Sequence, residues 1–142
     1  MCQAEIITTD WQHGKDALSA IRRKVFIDEQ HVPEQLEWDE DDDDATHFLA
    51  RIGNRNVACA RLTADGKIGR MAVLEQYRNQ GIGQRLLQQV IAHARDEAYP
   101  TLYMHAQASA TGFYEKAGFT VSGEPFMEAG IPHREMCLQL SD

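Results

Sequence analysis

Hydrophobic residues recur at helical spacing in two segments of the chain. In "KDALSAIRRKVFIDEQ", Leu18, Ile21 and Val25 predict one face of a helix. The polar side of this predicted helix is filled by Arg22, Arg23 and Lys24. Pro33 ends or interrupts whatever helix reaches it. A second amphipathic helix is predicted in "GQRLLQQVIAHARDEA". Its apolar positions are Leu86, Leu87, Val90, Ile91 and Ala94.

Short apolar or alternating stretches predict the strands. They are "AEIITT", "THFLARIG", "NVACARLT", "KIGRMAV", "TLYMHA" and "REMCLQL". The turns "GNRN" and "ADGK" suit tight hairpins and predict an antiparallel meander in the middle of the chain. "SATGFYEKAGF" predicts a short helix that ends at Gly118 in a left-handed cap. The order β, α, β-β-β, α, β, α, β predicts an α/β (α+β) class with a mixed sheet flanked by helices.

Length and charge narrow the class of protein. The 142 residues, 43% of them apolar, are enough for one domain spanning 1–142 with its own core. The net charge of −8 and the lack of a basic patch argue against a nucleic-acid or anionic-membrane partner. Cys2, Cys59 and Cys137 form no paired spacing and are interpreted as reduced thiols. With no signal peptide and no apolar run of about 20 residues, we expect a cytoplasmic protein.

An acidic run occupies Asp39–Asp44, in the letters "DEDDDD". Like charges repel one another, so we expect a solvated loop here. A divalent-cation site is the alternative. The run lacks the alternating ligands and the glycine of a calcium loop, which speaks against that alternative.

A glycine turn lies in "QYRNQGIGQRLLQQV" and is followed at once by a helical pattern. Gly81 and Gly83 would let the backbone approach a ligand, and the helix start would add free N–H donors. Phosphate is the expected ligand, although a turn without a ligand is also compatible with two glycines. Leu86 stands where a dinucleotide fingerprint requires a small residue. The P-loop lysine is also missing.

Three features of the chain resemble the GCN5-related N-acetyltransferases (GNAT proteins). Two are the segments "GRMAVLEQYRNQGIGQRLL" and "TLYMHAQASATGFYEKAGF", and the third is the strand order around them from about Thr46 onward. The earlier segment "IRRKVFIDEQHVPEQLEWDEDD" further resembles the small ElaA-like group of bacterial members. The resemblance implies a GNAT fold, with a twisted, mostly antiparallel mixed sheet.

The resemblance also implies where acetyl-coenzyme A binds. The turn that would hold its pyrophosphate consists of Arg78, Asn79, Gln80, Gly81, Ile82 and Gly83. The strand end that would pair with the pantetheine arm consists of Met71, Ala72 and Val73. An N–H of this strand would donate to the thioester carbonyl as an oxyanion donor. Gln107 is expected to contact the coenzyme with its side chain.

Acetyl transfer requires an acid for the leaving thiolate and a base for the amine. In the family, the tyrosine matching Tyr114 lies beside the coenzyme sulfur, and a phenol is protonated at neutral pH. A core tyrosine without a catalytic role is the alternative. Glu29, His47 and His133 remain open as the base or as acceptor contacts, each with a purely structural alternative. Water could also relay the proton.

The sequence therefore predicts an acetyl-coenzyme A-dependent N-acetyltransferase acting on a primary amine by direct attack in a ternary complex. The alternatives are a non-catalytic acyl-coenzyme A sensor and an acyltransferase for a different acyl group. No metal is expected, because the histidines show no ligand spacing with Cys or acidic residues. The acceptor is an unidentified small-molecule or peptide amine, and a homodimer is compatible with the sequence.

Overall fold

A single seven-stranded sheet organises the computed structural model, which describes residues 4–140; Cys2 lies outside this range. The strands are β1 (Glu5–Thr9), β2 (Thr46–Ile52), β3 (Arg55–Leu62), β4 (Lys67–Val73), β5 (Thr101–Gln107), β6 (Thr120–Glu128) and β7 (Ile131–Gln139). Their spatial order is β1-β2-β3-β4-β5-β7-β6. Every neighbouring pair is antiparallel except β4 and β5. The mixed, mostly antiparallel sheet predicted from the sequence is confirmed.

Helices cover both faces of this sheet. They are α1 (Trp11–Arg22), α2 (Glu34–Glu37), α3 (Asp41–Asp44), α4 (Ile82–Asp96) and α5 (Thr111–Glu115), with 3₁₀ turns at Glu75–Tyr77 and Ala108–Ala110. On one face, α4 packs Leu86 and Val90 with Phe48 of β2. On the other, α1 packs Leu18 with Leu49, the next residue of β2. Phe48 and Leu49 thus belong to two separate cores, because successive side chains of a strand point to opposite faces of the sheet.

The first helix differs from its prediction in two ways. It begins at Trp11, because the Asp10 carboxylate accepts the His13 N–H at 2.8 Å and caps the helix. After Arg22 the chain continues as a π-helical segment, Arg23–Glu29. The predicted polar position of Arg22 is wrong, since this side chain is only 1% exposed. Its guanidinium lies between the rings of Trp11 and Trp38, 5.3 and 5.1 Å from their centroids.

The acidic run is not simply a solvated loop. Asp41–Asp44 form a helical turn, and Asp42 within it is buried. Asp42 accepts hydrogen bonds from Arg22 at 2.8 Å and from Arg61 at 3.1 Å. An unpaired Asp42 carboxylate would be expected to stay in water, as its acidic neighbours do. Arg22 and Arg61, which lie far from it in the sequence, compensate its charge and so allow it to be buried.

The sequence also failed to predict strand β6. It forms a hairpin with β7 through Ala129 and Gly130, both at positive φ, which matches the twist of a two-residue hairpin turn. As the outer strand of the sheet, β6 has no buried residue and so lacks a clear alternation. His133 accordingly lies within β7 and not in the predicted loop. Phe113 of α5 is 37% exposed.

The parallel pair β4 and β5 separates soon after it forms. Only Lys67 with Tyr103 and Ile68 with Met104 are paired between these strands in the described part of the chain. On its other side, β4 carries one extra residue against β3, and Arg70 in this bulge has φ +49°. The bulge turns β4 away from β5. A wedge therefore opens between the later residues of the two strands.

Candidate active site

A cavity of about 550 Å³ occupies the wedge and extends under the β6–β7 hairpin. Strands β4 and β5 supply its floor, including Met71 and Ala106. Phe26, Val32 and Leu36 form an apolar wall that we call the outer wall. Gln30, Gln107, Tyr114, Glu128 and His133 supply polar groups to the lining. Charged residues add to this lining on one side, namely Glu37, Asp39, Asp41, Arg61, Lys67 and Arg70. The cavity therefore combines an apolar wall with many polar and charged groups.

The glycine turn adjoins this wedge. Asn79 has φ +63° and Gly81 has φ +82°, so the backbone reverses sharply before α4 begins at Ile82. No side chain caps α4, which leaves the N–H groups of its first turn available to an anion. A side-chain carbon at Gly83 would lie 3.5 Å from both Val73 and Phe113, so this turn touches the end of β4.

The side chain of Arg78 is already engaged. Its Nε donates to the Val73 carbonyl at 2.9 Å, and its two terminal nitrogens donate to Glu29, each at 2.7 Å. The hydrogen bonds from Arg78 lower the pKa of Glu29. Both oxygens of the Glu29 carboxylate thus accept hydrogen bonds from Arg78, and the lowered pKa makes this carboxylate a weak proton acceptor.

Tyr114 is the phenol of the cavity. Its hydroxyl group lies 3.9 Å from the Met71 sulfur, and its ring packs edge-on against Phe113 and Phe119. Burial raises the pKa of Tyr114 to about 12. The hydroxyl therefore stays protonated at neutral pH and can donate a hydrogen bond into the wedge.

His133 is a histidine of the cavity, 5% exposed. Its Nδ1 lies 2.7 Å from the Ile131 carbonyl oxygen. A carbonyl only accepts hydrogen bonds, so Nδ1 carries the proton in the neutral ring and Nε2 keeps its lone pair. Nε2 lies 3.8 Å from the Glu128 carboxylate.

His47 does not join these residues. It is buried on β2, outside the cavity lining, and its Nε2 lies 2.9 Å from the Asp42 carbonyl oxygen. Burial lowers the pKa of His47. This histidine belongs to the packing beneath α1.

Six charged residues form what we call the arginine cluster, at the side of the cavity. They are Arg22, Arg61, Arg70, Glu37, Asp39 and Asp42. Arg70, from the bulge of β4, donates to the Glu37 carbonyl at 3.0 Å and to Asp39 at 3.0 Å. Burial raises the pKa of Glu37. In Asp42, hydrogen bonds from Arg22 and Arg61 outweigh burial and lower the pKa.

Residues that the sequence did not single out complete the cavity. Glu128 contacts both His105, at 3.0 Å, and His133. Gln30 accepts a hydrogen bond from the Gln107 amide at 2.8 Å. Their roles depend on contacts between distant parts of the chain, and no local motif marks them.

Other chemistry has little support in residues 4–140. The Cys59 thiol is buried, and burial raises its pKa to about 12, which disfavours a reactive thiolate. Within this range, no group of three or more His, Cys, Asp or Glu side chains is arranged to hold a metal ion. None of the helices there combines the length and apolar character that crossing a bilayer requires.

Comparison with known proteins gives matches over nearly the whole chain. A family model described as an acetyltransferase (GNAT) domain matches residues 9–140. The uncharacterized N-acetyltransferase YjcF of Bacillus subtilis is 33% identical over 135 residues, covering 92% of this chain and 96% of that protein.

Solved structures show the same arrangement of strands and helices. An acyl-CoA N-acyltransferase from Pseudomonas aeruginosa superposes with a TM-score of 0.86 and 28% identity, covering 95% of this chain and 99% of that one. Escherichia coli ElaA superposes with a TM-score of 0.85 and 30% identity, covering 94% and 98%. The residues that the family model matches include the segments that form the wedge and the glycine turn.

Proposed function

This chain belongs to the GNAT acetyltransferase family, and from that premise we propose that it moves an acetyl group from acetyl-coenzyme A to a primary amine. The family and fold predicted from the sequence are confirmed, and the family supports acyl transfer from acyl-coenzyme A. One observation carries the finer proposal. A single cavity in the wedge is lined both by a protonated phenol, Tyr114, and by a histidine, His133, whose Nδ1 is bonded to the Ile131 carbonyl.

The coenzyme is proposed to enter the wedge beside β4. Its pyrophosphate would lie on the N–H groups of the turn Arg78–Gly83 and of the start of α4, which no side chain caps. Its pantetheine arm would follow Met71, Ala72 and Val73, where β4 has left β5. Gln107, at the opposite edge of the wedge, would contact the arm. Acetyl-coenzyme A is thus proposed as the cosubstrate, without a metal.

The reaction replaces the C–S bond of the thioester with a C–N bond, and it also requires that the amine loses a proton and that the leaving thiolate is stabilised. The amine nitrogen attacks the thioester carbonyl carbon, the new N–C bond forms, and the C–S bond breaks. A backbone N–H of Met71–Val73 would stabilise the oxyanion. The phenol of Tyr114 would donate to the leaving thiolate as its charge develops, and the excess proton of the amine would leave to a base.

His133 is the strongest of the three candidate bases. It lines the cavity, and because its Nδ1 is bonded to the Ile131 carbonyl, the neutral ring would have Nε2 available to accept a proton. Glu29 is held in an ion pair by Arg78, and His47 lies outside the cavity. We therefore propose His133 as the base, acting directly or through one water.

Direct attack is tested by the mass of the protein after incubation with acetyl-coenzyme A alone. We expect no acetyl group on Cys59, because its buried thiol has a pKa of about 12 and is a poor nucleophile. Adding an accepted amine should then give acetylated amine and free coenzyme A. An acetylated cysteine that forms rapidly and loses its acetyl group on addition of amine would contradict direct attack.

A further inference from the structure

Two adjacent residues touch opposite sides of the wedge. Glu29 binds Arg78, whose Nε in turn donates to the carbonyl of Val73 at the end of β4. Gln30 accepts a hydrogen bond from Gln107 at the end of β5. The backbone pairing of these two strands ends at Ile68 and Met104. Glu29 and Gln30 therefore connect strand ends that are no longer paired with each other.

The π-helical segment places these residues. The Gln30 N–H donates to the Val25 carbonyl at 3.1 Å, a hydrogen bond that spans five residues and not the usual four. This wider turn rotates the side chains that follow it relative to the face of α1. The helix then stops, with His31 at φ +60° and the Val32 N–H bonded to the Phe26 carbonyl at 2.8 Å. π-turns of this kind are frequent at functional sites.

The stretch of chain around Glu29 and Gln30 also carries two of the three outer-wall residues. Phe26 and Val32 line the cavity on either side of Glu29 and Gln30. Contacts at residues 29 and 30 thus fix the outer wall to both edges of the wedge. A change in the width of the wedge would move this wall as well.

We propose that Glu29 and Gln30 are positioning residues that hold the wedge at the width required by the pantetheine arm. This inference rests on the proposed function, because it places that arm between β4 and β5. Glu29 keeps the end of β4 in place through Arg78, and Gln30 keeps the end of β5 in place through Gln107. The assignment gives Glu29 a role in coenzyme binding and none in proton transfer.

Two other roles for Glu29 predict different results. If Glu29 competed with the pyrophosphate for Arg78, its removal would tighten coenzyme binding. If Glu29 were the general base, its removal would lower kcat and remove a limb from the pH profile of kcat. A positioning role predicts weaker coenzyme binding, with kcat at saturation and its pH profile retained.

The test is a calorimetric titration of acetyl-coenzyme A into wild-type protein, Glu29→Gln and Gln30→Leu, together with kcat and its pH profile at saturating acetyl-coenzyme A, which should stay like those of the wild type. We expect each variant to raise Kd about three- to tenfold, because a bidentate pair or an amide contact is lost at one edge of the wedge. Glu34→Gln is the matched control, since Glu34 of α2 forms a solvent-exposed ion pair with Arg23 at 2.6 Å. It should bind the coenzyme like the wild type.

The outcomes separate this inference from the proposed function. Wild-type protein that fails to bind acetyl-coenzyme A would overturn the proposed function and with it the positioning role. Wild-type binding with an unchanged or lower Kd in Glu29→Gln would overturn the positioning role alone. Circular dichroism melting of each variant confirms that a raised Kd is not caused by unfolding.

Discussion

Replacing Tyr114 with Phe should lower kcat by about 100-fold, with Kd for acetyl-coenzyme A changed by less than about twofold. The substitution removes only the hydroxyl group that is proposed to meet the leaving thiolate. The ring contacts with Phe113 and Phe119 stay in place, so the fold should be retained. Initial rates with an accepted amine, together with calorimetric Kd values, provide the measurement.

The pH dependence of the rate is a second test of the proposed role of the Tyr114 hydroxyl group. Because burial raises the pKa of Tyr114 to about 12, the donor should be lost only as the pH rises through about 12. The wild-type rate should therefore show no loss near pH 10 from this group. Tyr99→Phe is the control, since the Tyr99 hydroxyl contacts the Thr63 carbonyl outside the cavity. A Tyr114→Phe enzyme with unchanged kcat would remove Tyr114 from the mechanism.

Replacing Arg22 with Met should lower the free energy of unfolding by about 3–5 kcal/mol. Arg22 donates to Glu37 at 2.7 Å and to Asp42 at 2.8 Å, and all three side chains are buried. Its loss would leave two buried carboxylates with fewer partners, in a medium that solvates charge poorly. Urea unfolding of both proteins at neutral pH, followed by circular dichroism, gives the difference.

Arg23→Met is the matched control for this prediction. Arg23 is the next residue along the chain and has the same charge, but its ion pair with Glu34 is exposed to solvent. Its removal should leave the midpoint of unfolding near that of the wild type. Equal midpoints for Arg22→Met and Arg23→Met would show that the arginine cluster does not stabilise the fold.

Local patterns were sufficient for much of the fold. The helical spacing of Leu86, Val90 and the other apolar residues predicted α4, because a helix that packs against a sheet buries one face. The glycines of the turn before α4 were informative because a positive φ, as at Gly81, is costly for other residues. The strands of the central meander were predictable as short, largely apolar stretches between turn residues, and β2 and β3 are indeed buried at consecutive positions.

What the sequence could not predict depends on partners far along the chain. The buried position of Arg22 depends on Glu37 and Asp42, which lie 15 and 20 residues away. The role of Glu29 depends on Arg78, which lies 49 residues away. A window of 11–18 residues is read for the periodicity of one element, and neither the Arg22–Asp42 pair nor the Glu29–Arg78 pair fits in it. Strand β6 was missed because an edge strand with little burial has no periodic signal.

The central claim is acetyl transfer to an amine, and the release of coenzyme A from acetyl-coenzyme A tests it most directly. The assay would use a panel of small-molecule and peptide amines with a blank that contains no amine. Chromatographic detection of coenzyme A is preferable to thiol reagents, because the chain has three cysteines. We predict release that depends on the amine, with one acetylated amine formed per coenzyme A. Tight binding of acetyl-coenzyme A with no release above the blank for any amine would contradict the account and favour a sensor.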